Sequence, residues 1–200
     1  MTAPILHKPA RKTYTLAQFL EMEMRSDVRH EFHNGKIINM PGGTLTHNLI
    51  GTRITTLLNN FIDSQKKDLY VFGSDQMCYI EAQNKVLYPD VTVVAGGFKS
   101  LKGRGVMVTN PILIFEVLSP GTENYDRTLK FDSYSTIPSL QEYVLVSQDK
   151  PSINVFYRKD ENQKEFDSTQ EEGLDAAILL KSIDFEMTLK DAYLRTGVSF

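Results

Sequence analysis

Cysteine is almost missing from this chain, in which Cys78 is the only one among 200 residues. A lone cysteine excludes an intramolecular disulfide framework and a zinc site built from several thiolates. No run approaches the roughly 20 consecutive apolar residues that a bilayer-spanning helix needs. The first dozen residues also lack the apolar stretch of a signal peptide. From these absences we predict no membrane association and a cytoplasmic location.

Several enzyme signatures are missing as well. The sequence contains no Walker loop, dinucleotide fingerprint, Gly-x-Ser-x-Gly elbow or Cys/His spacing of the zinc type. The formal net charge of −3 excludes a uniformly basic surface, but it is compatible with a local basic groove. With 41% hydrophobic residues the chain can bury a core. We predict a loose basic tail over 1–13 and one domain over 14–200.

Local signals begin with a capping box. Thr15 and Gln18 have the spacing at which each side chain satisfies the other's backbone donor at a helix start. Asn34-Gly35 is typical of a type I′ turn, so residues 30–40 are predicted to form a β-hairpin. In that hairpin His33 is expected to face Lys36, and Glu31 to face Ile38.

The rest of the chain alternates between helix and strand patterns. Apolar residues recur every three or four positions over 46–63, which predicts an amphipathic helix. The run 111–118 is apolar on both faces and is therefore expected in the middle of a covered sheet. Further predicted elements are strands over 69–72, 77–80, 91–95, 143–146 and 153–157, a flexible loop over 96–105, a helix over 124–135, and a closing strand and helix over 176–180 and 189–194. This order indicates an α/β fold with a mixed sheet flanked by helices.

Two carboxylates stand where a core strand normally excludes charge. Glu116 lies inside the apolar run 111–118, and Asp90 introduces the strand over 91–95. A buried, unpartnered carboxylate is costly, so it pairs, shifts its pKa or binds a cation. Two such groups on adjacent strand ends are suited to one hard cation such as Mg²⁺. The alternatives are turn chemistry for Pro89-Asp90 and a lysine partner for Glu116.

The combined pattern resembles a known family. YPDVTVV is followed by ILIFEVLSP, then by Asp126 and Lys130, and then by QEYVLVS. Together with the hairpin RHEFHNGKI and with His47, this pattern is similar to the Uma-type restriction endonuclease family of the PD-(D/E)XK nuclease superfamily. The resemblance runs from about residue 14 to residue 157. It implies a restriction-endonuclease-like core of helix, three strands, helix and strand, preceded by an N-terminal helix and a β-hairpin.

The resemblance also implies roles for individual residues. Asp90 and Glu116 correspond to the metal-binding acids of the superfamily, and the carbonyl of Val117 to a further ligand. The superfamily motif places a lysine two residues after the second acid, where this chain has Leu118. Lys130, on the following helix, is the candidate substitute. The alternative for Lys130 is an ion pair with Asp126 on a solvated helix face.

Three other polar residues are weaker candidates. Glu31 is a possible supporting carboxylate, or else an exposed strand residue. His47 borders the apolar stripe of its helix, and it either orients water and transfers protons or is a satisfied helix-terminal histidine. Asp75 is a further acid for which a role in a turn is the favoured interpretation.

The sequence therefore predicts a Mg²⁺-dependent endonuclease that hydrolyses phosphodiester bonds in DNA, with Mn²⁺ able to substitute. The segment 96–105 carries Lys99, Lys102 and Arg104 and is expected to contact phosphates, the alternative being a solvated loop. Leu118 and the acidic net charge favour a second hypothesis, a catalytically inactive nuclease-fold module with a binding or regulatory role. A third is a hydrolase of smaller phosphate esters. A homodimer is one expected assembly.

Overall fold

The computed structural model describes residues 13–101, 104–159 and 165–198. The predicted basic tail lies outside these ranges apart from Thr13. The helices are α1 (Leu16–Glu23), α2 (Leu45–Gln65), α3, which joins the segments Glu123–Tyr125, Asp126–Lys130 and Phe131–Tyr134, and α4 (Leu189–Ala192). The strands are β1 (His30–His33), β2 (Lys36–Asn39), β3 (Leu69–Gly73), β4 (Met77–Ile80), β5 (Lys85–Leu87), β6 (Val91–Ala95), β7 (Ser100–Leu101), β8 (Arg104–Val108), β9 (Pro111–Leu118), β10 (Glu142–Ser147), β11 (Ser152–Arg158), β12 (Phe166–Glu172), β13 (Ala177–Leu180) and β14 (Phe185–Thr188).

The local predictions at the start of the chain are confirmed. Thr15 and Gln18 form the capping box of α1. Asn34 and Gly35 both have positive φ, at 45° and 94°, and they connect β1 to β2. The hairpin register pairs His33 with Lys36 and Glu31 with Ile38.

The central sheet has the strand order β12-β11-β10-β9-β6-β3. Strands β9 and β10 are parallel, and the other neighbouring pairs are antiparallel. Along the chain, α2, β3, β6, β9, α3 and β10 give the predicted order of helix, three strands, helix and strand. The predicted mixed sheet with flanking helices is therefore confirmed.

Strand β9 is buried along its whole length, as its apolar composition predicts. On one face, Phe115 and Val117 share a core with Ile50, Ile54 and Leu58 of α2. On the other face, Ile114 and Leu118 pack in a core with residues of α3, β4 and β10. Because side chains alternate along a strand, Glu116 belongs to this second face.

A second sheet and a small hairpin complete the architecture. The second sheet has the order β2-β1-β5-β4-β8-β7, and β13 pairs with β14 in the separate hairpin. Phe19 of α1 stacks on Phe32 of β1 at a centroid distance of 5.2 Å, which joins the N-terminal helix to this sheet. None of the helices in the described part of the chain is long and apolar enough to cross a bilayer.

Several local predictions are wrong. The segment predicted as a flexible loop over 96–105 contains β7 and the start of β8, which pair antiparallel. The prediction also missed β5, β12 and β14, whose short or polar sequences carry no clear alternation. Finally, α3 is not a regular α-helix, because its middle segment Asp126–Lys130 has π-helical hydrogen bonding.

Candidate active site

Asp90 is fixed at the entrance to β6 by two contacts. Its Oδ2 accepts a hydrogen bond of 2.7 Å from the backbone N–H of Val117, and it lies 3.1 Å from Nε2 of His47. Strand β6 runs antiparallel to β9, with Val91 opposite Phe115. The start of β6 therefore meets the end of β9, and this pairing brings Asp90 beside Glu116.

Glu116 is an almost completely buried acid, with 2% of its surface exposed. Its Oε1 lies 3.0 Å from Nζ of Lys130 and accepts a hydrogen bond of 3.0 Å from the hydroxyl of Tyr134. Burial raises the pKa of Glu116 well above its usual range, although the charge of Lys130 acts in the opposite direction. The lysine partner considered from the sequence is therefore present, and it comes from α3.

Lys130 is held on the inner side of α3, where it is only 7% exposed. Its Nζ lies 3.1 Å from Oδ1 of Asp126, in addition to the contact with Glu116. The predicted ion pair with Asp126 exists, but the solvated helix face proposed for it is wrong. Burial lowers the pKa of Lys130, but the surrounding carboxylates, those of Glu116 and Asp126 above all, together raise it by a larger amount. The net pKa is therefore raised, and the ammonium stays charged.

The π-helical turn explains how α3 presents several polar groups to the sheet. The turn runs from Asp126 to Lys130, directly after Tyr125. The Nζ of Lys130 lies 5.7 Å from the ring centroid of Tyr125, five residues earlier. π-Helical turns are rare and frequently occur at functional sites, because they change which side chains share a helix face.

Glu31 is buried, with 4% of its surface exposed, so the interpretation as an exposed strand residue is wrong. Its Oε2 accepts a hydrogen bond of 2.6 Å from the hydroxyl of Tyr125 and lies 2.8 Å from Nε2 of His33. Burial raises the pKa of Glu31. The hydrogen bond from His33, the charge of Lys130 and the hydrogen bond from Tyr125 together lower it by a larger amount, so the net pKa is lowered. Glu31 thus adds a stable negative charge near Lys130.

His47 lies in the first turn of α2, whose N-cap is Thr44. Its Nε2 contacts Asp90, while its buried Nδ1 has no hydrogen-bond partner within the described ranges. Burial lowers the pKa of His47. The hydrogen bond with Asp90 and its negative charge raise that pKa, and the net pKa is raised. The histidine therefore acts on Asp90 rather than simply capping the helix.

Asp90 and His47 open onto a cleft of about 700 Å³ between α2 and the turn that follows β3. Asp75 also lines this cleft, but its side chain is 95% exposed and pairs with Arg29 at 3.2 Å. The structure therefore places Asp75 on the rim, consistent with a turn position, and away from the buried acids. Glu116 and Lys130 are not part of the cleft lining.

The charges and carboxylate oxygens of the site suit a divalent cation. Four carboxylates act on Lys130, namely those of Glu116, Asp126, Glu31 and Asp90. The contacts described above are made by Oδ2 of Asp90 and by Oε1 of Glu116. No group of three or more His, Cys, Asp or Glu side chains there forms a ready-made metal cage. Mg²⁺ needs only one or two carboxylates besides water and substrate oxygens, so the donor set fits Mg²⁺ better than Zn²⁺.

The predicted phosphate contacts are only partly described. Lys99 is exposed beside the first residues of β7. Lys102 lies outside the described residues, and so does the side chain of Arg104. The sequence reasoning missed His33, Tyr125 and Tyr134, because no sequence pattern joins them to carboxylates that are far away in the chain.

Comparison with known proteins shows which family this chain resembles. The model of the Uma2 family, described as "Putative restriction endonuclease", matches residues 16–190. An uncharacterized protein of Synechocystis sp. is 36% identical over 137 residues, which cover 68% of this chain and 76% of that protein. A second uncharacterized Synechocystis protein is 34% identical over 159 residues, which cover 78% of this chain and 82% of that protein.

A solved structure has the same fold. It is the crystal structure of a "putative nuclease belonging to DUF820" from Anabaena variabilis, with a TM-score of 0.72. The superposition covers 90% of this chain and 97% of that one, at 18% sequence identity. At this identity the likeness establishes the fold.

Proposed function

Because this chain belongs to the Uma2 family, we propose that it is a nuclease that hydrolyses phosphodiester bonds in DNA with the help of Mg²⁺. The observation that carries the proposal is the contact between Asp90 and the backbone of Val117, next to the buried pair of Glu116 and Lys130. Carboxylate oxygens can hold the metal that metal-assisted hydrolysis requires, and a lysine beside them can stabilise the negative charge that develops on the phosphate.

Asp90 Oδ1, Glu116 Oε2 and the carbonyl of Val117 would hold the cation. When bound, Mg²⁺ would lower the pKa of a water molecule and neutralise charge on the phosphoryl oxygens, and Mn²⁺ would do the same. The contacts of His47, Lys130 and Tyr134 support this assignment, since they are made to Oδ2 of Asp90 and to Oε1 of Glu116.

Lys130 takes the role that the superfamily gives to a lysine two residues after the acid. Leu118 occupies that position and packs in the apolar core, so it has no polar function. The ammonium of Lys130 reaches Glu116 from α3 instead, and the raised pKa of Lys130 keeps it charged. It orients Glu116 and stabilises negative charge that develops on the phosphate.

His47 and Glu31 are positioning residues. His47 contacts Oδ2 of Asp90, and Oδ1 is the oxygen proposed to bind the cation. Glu31 anchors Tyr125 beneath the lysine, because its Oε2 accepts the tyrosine hydroxyl. Lys99, Lys102 and Arg104 are proposed to contact the phosphate backbone outside the site.

The test is cleavage of plasmid DNA in the presence of Mg²⁺ or Mn²⁺. We expect cleavage by the wild-type protein and by Glu21→Ala, a control acid that lies on α1 and is 67% exposed. We expect none by Asp90→Ala or Glu116→Ala. Cleavage that is unchanged in both site variants would assign the activity elsewhere and overturn the proposal.

Two observations favour a second candidate, a catalytically inactive nuclease-fold module. Leu118 replaces the usual lysine, and both acids already have partners within the described chain. Such a module would bind nucleic acid without cutting it under any metal condition. The third hypothesis, a hydrolase of smaller phosphate esters, is tested by offering such esters to the same protein under the same metal conditions. Sedimentation tests the proposed homodimer.

A further inference from the structure

One wall of the cleft beside Asp90 is formed by α2. It contributes the uncharged residues Asn48, Gly51, Thr52, Thr55 and Thr56, together with His47. The opposite wall is formed by the end of β3 and the turn after it, including Phe72, Gly73 and Ser74. A volume of about 700 Å³ lies within the usual range for pockets that enclose small molecules. This volume suits a short stretch of a single strand.

Gly51 lies on the α2 wall of this cleft, at a position where packing does not require glycine. It lies within α2, and glycine is the poorest helix former apart from proline. A Cβ built on Gly51 meets nothing within 4 Å, and the same holds for Gly73 on the other wall. Neither residue has a positive φ that would demand glycine. A side chain at either position could therefore enter the open space of the cleft.

Exposed aromatic rings continue the cleft on the β3 side. Phe72 lines the cleft and lies edge-on to Phe98, with ring centroids 5.9 Å apart. Phe98 also contacts Tyr70 edge-on, at 5.8 Å. Phe98 is 57% exposed and Tyr70 is 43% exposed, and the exposed Lys99 follows directly in the chain. Aromatic rings beside a cation are the usual platform for unpaired bases.

We infer that the cleft takes a single strand of nucleic acid, whose unpaired bases stack on Phe98 and Tyr70 while the backbone passes between Gly51 and Gly73 towards Asp90. This inference rests on the proposed nuclease function and deepens it, because it names the substrate as single-stranded nucleic acid or the unpaired part of a duplex. The continuity of the aromatic rings with the cleft that holds Asp90 favours this occupant over a second copy of the chain.

The first test measures the affinity of the wild-type protein for a fluorescein-labelled oligodeoxythymidylate of about 12 nucleotides, a length within the usual range for single-strand sites. Chelator is present so that cleavage does not interfere. Matched arms use the oligouridylate and a duplex of the same length. We expect binding of single strands, weaker binding of the duplex, and a loss of about fivefold or more in Phe98→Ala and Tyr70→Ala.

Leu179→Ala is the control, because Leu179 is also half exposed but lies on β13. It should leave the affinity unchanged. An affinity that is unaffected in Phe98→Ala and Tyr70→Ala, or a wild-type protein that prefers the duplex, would overturn the inference. A change of sedimentation in these variants without a change of affinity would assign the rings to a protein interface and would also overturn it.

The second test fills the cleft. Gly51→Gln should fold at least as well as the wild type, because glutamine is a better helix former and a Cβ meets no neighbour. Its long side chain should nevertheless weaken oligonucleotide binding, while Gly51→Ala should not. Equal affinities of Gly51→Gln, Gly51→Ala and wild type would contradict the proposed path of the strand.

These outcomes are separable from the fate of the nuclease proposal. Binding that depends on Phe98 and Gly51 in a protein that never cleaves DNA would support the strand path and remove the catalysis. Cleavage that depends on Asp90 but is unchanged by substitution of Phe98, Tyr70 and Gly51 would support the nuclease proposal and remove the strand path.

Discussion

The backbone N–H of Val117 donates a hydrogen bond of 2.7 Å to Oδ2 of Asp90. Val117 directly follows Glu116 in β9. This hydrogen bond therefore ties Asp90, at the start of the neighbouring strand β6, to the residue next to Glu116. Its side chain faces the α2 core, where it is 1% exposed. The position of Asp90 is thus fixed by a strand that is buried along its whole length.

This relationship predicts the behaviour of Asp90→Asn. The amide oxygen of asparagine can still accept the Val117 hydrogen bond, so the fold should be retained while the charge is lost. Mg²⁺ at about 100 times its dissociation constant should stabilise the wild type by about 2.7 kcal/mol and the variant not at all. Thermal unfolding with and without Mg²⁺ measures the difference. Asp75→Asn, on the rim of the same cleft, should respond like the wild type, and equal stabilisation of Asp90→Asn would contradict the assignment.

Lys130→Met tests the buried lysine. Methionine keeps much of the side-chain volume but leaves Glu116 and Asp126 without their cation. Breaking a buried ion pair on one side costs about 3–5 kcal/mol of unfolding free energy. The double variant Lys130→Met/Glu116→Gln should lose less than the sum of the two single changes. Denaturant unfolding measures this, and additivity within about 0.5 kcal/mol would show that the two residues are not coupled.

Tyr134→Phe separates the orientation of Glu116 from general stability. It removes the hydroxyl that donates to Oε1 of Glu116 at 3.0 Å, at a cost of about 1–3 kcal/mol. Tyr193→Phe is the matched control, because the buried Tyr193 hydroxyl bonds to Ser147 and Ser152 in a different core. Both variants should unfold more easily. Only Tyr134→Phe should lower DNA cleavage per folded molecule, and an equal effect on cleavage in both would argue against a role in the site.

Glu31→Gln predicts a pH dependence of stability. The folded protein lowers the pKa of Glu31 below its ordinary value of 4.5. Its stabilising contribution is therefore complete above pH 4.5 and is lost as the pH falls through the folded pKa. Near neutral pH the variant should be less stable by about 1–3 kcal/mol, and this gap should narrow in acid.

Denaturant unfolding as a function of pH provides the check for Glu31. Glu21→Gln is the control, since its carboxylate is 67% exposed and pairs only with Arg25 in the described chain. Exposed pairs contribute little, so the control should follow the wild type at every pH. A gap for Glu31→Gln that stays constant into acid would mean that its charge does not stabilise the fold.

Short-range patterns predict much of this fold. The dipeptide Asn34-Gly35 predicts the hairpin and its register, because only a few residues tolerate positive φ at both turn positions. The apolar run that became β9 predicts a strand covered on both faces. The order of β6 and β9 in the chain also leads to the correct expectation that Asp90 and Glu116 are neighbours.

The remainder of the site depends on contacts that a sequence pattern does not encode. Glu31 is buried against Tyr125 of α3 and His33 of its own strand, and alternation in a four-residue strand cannot reveal this. The spacing of Asp126 and Lys130 predicts an α-helical ion pair. It does not reveal the π-helical turn between them, or the burial of both side chains. Tyr134 reaches Glu116 only through tertiary packing of α3 on the sheet.

The central claim is that Asp90 and Glu116 together bind one divalent cation. A crystal of the protein soaked in Mn²⁺ tests it most directly, because anomalous scattering locates the ion without reference to activity. The account predicts a single strong peak within coordination distance of both carboxylates. A crystal that shows no peak there, with Asp90 still held by His47 and Glu116 still held by Lys130, would contradict it.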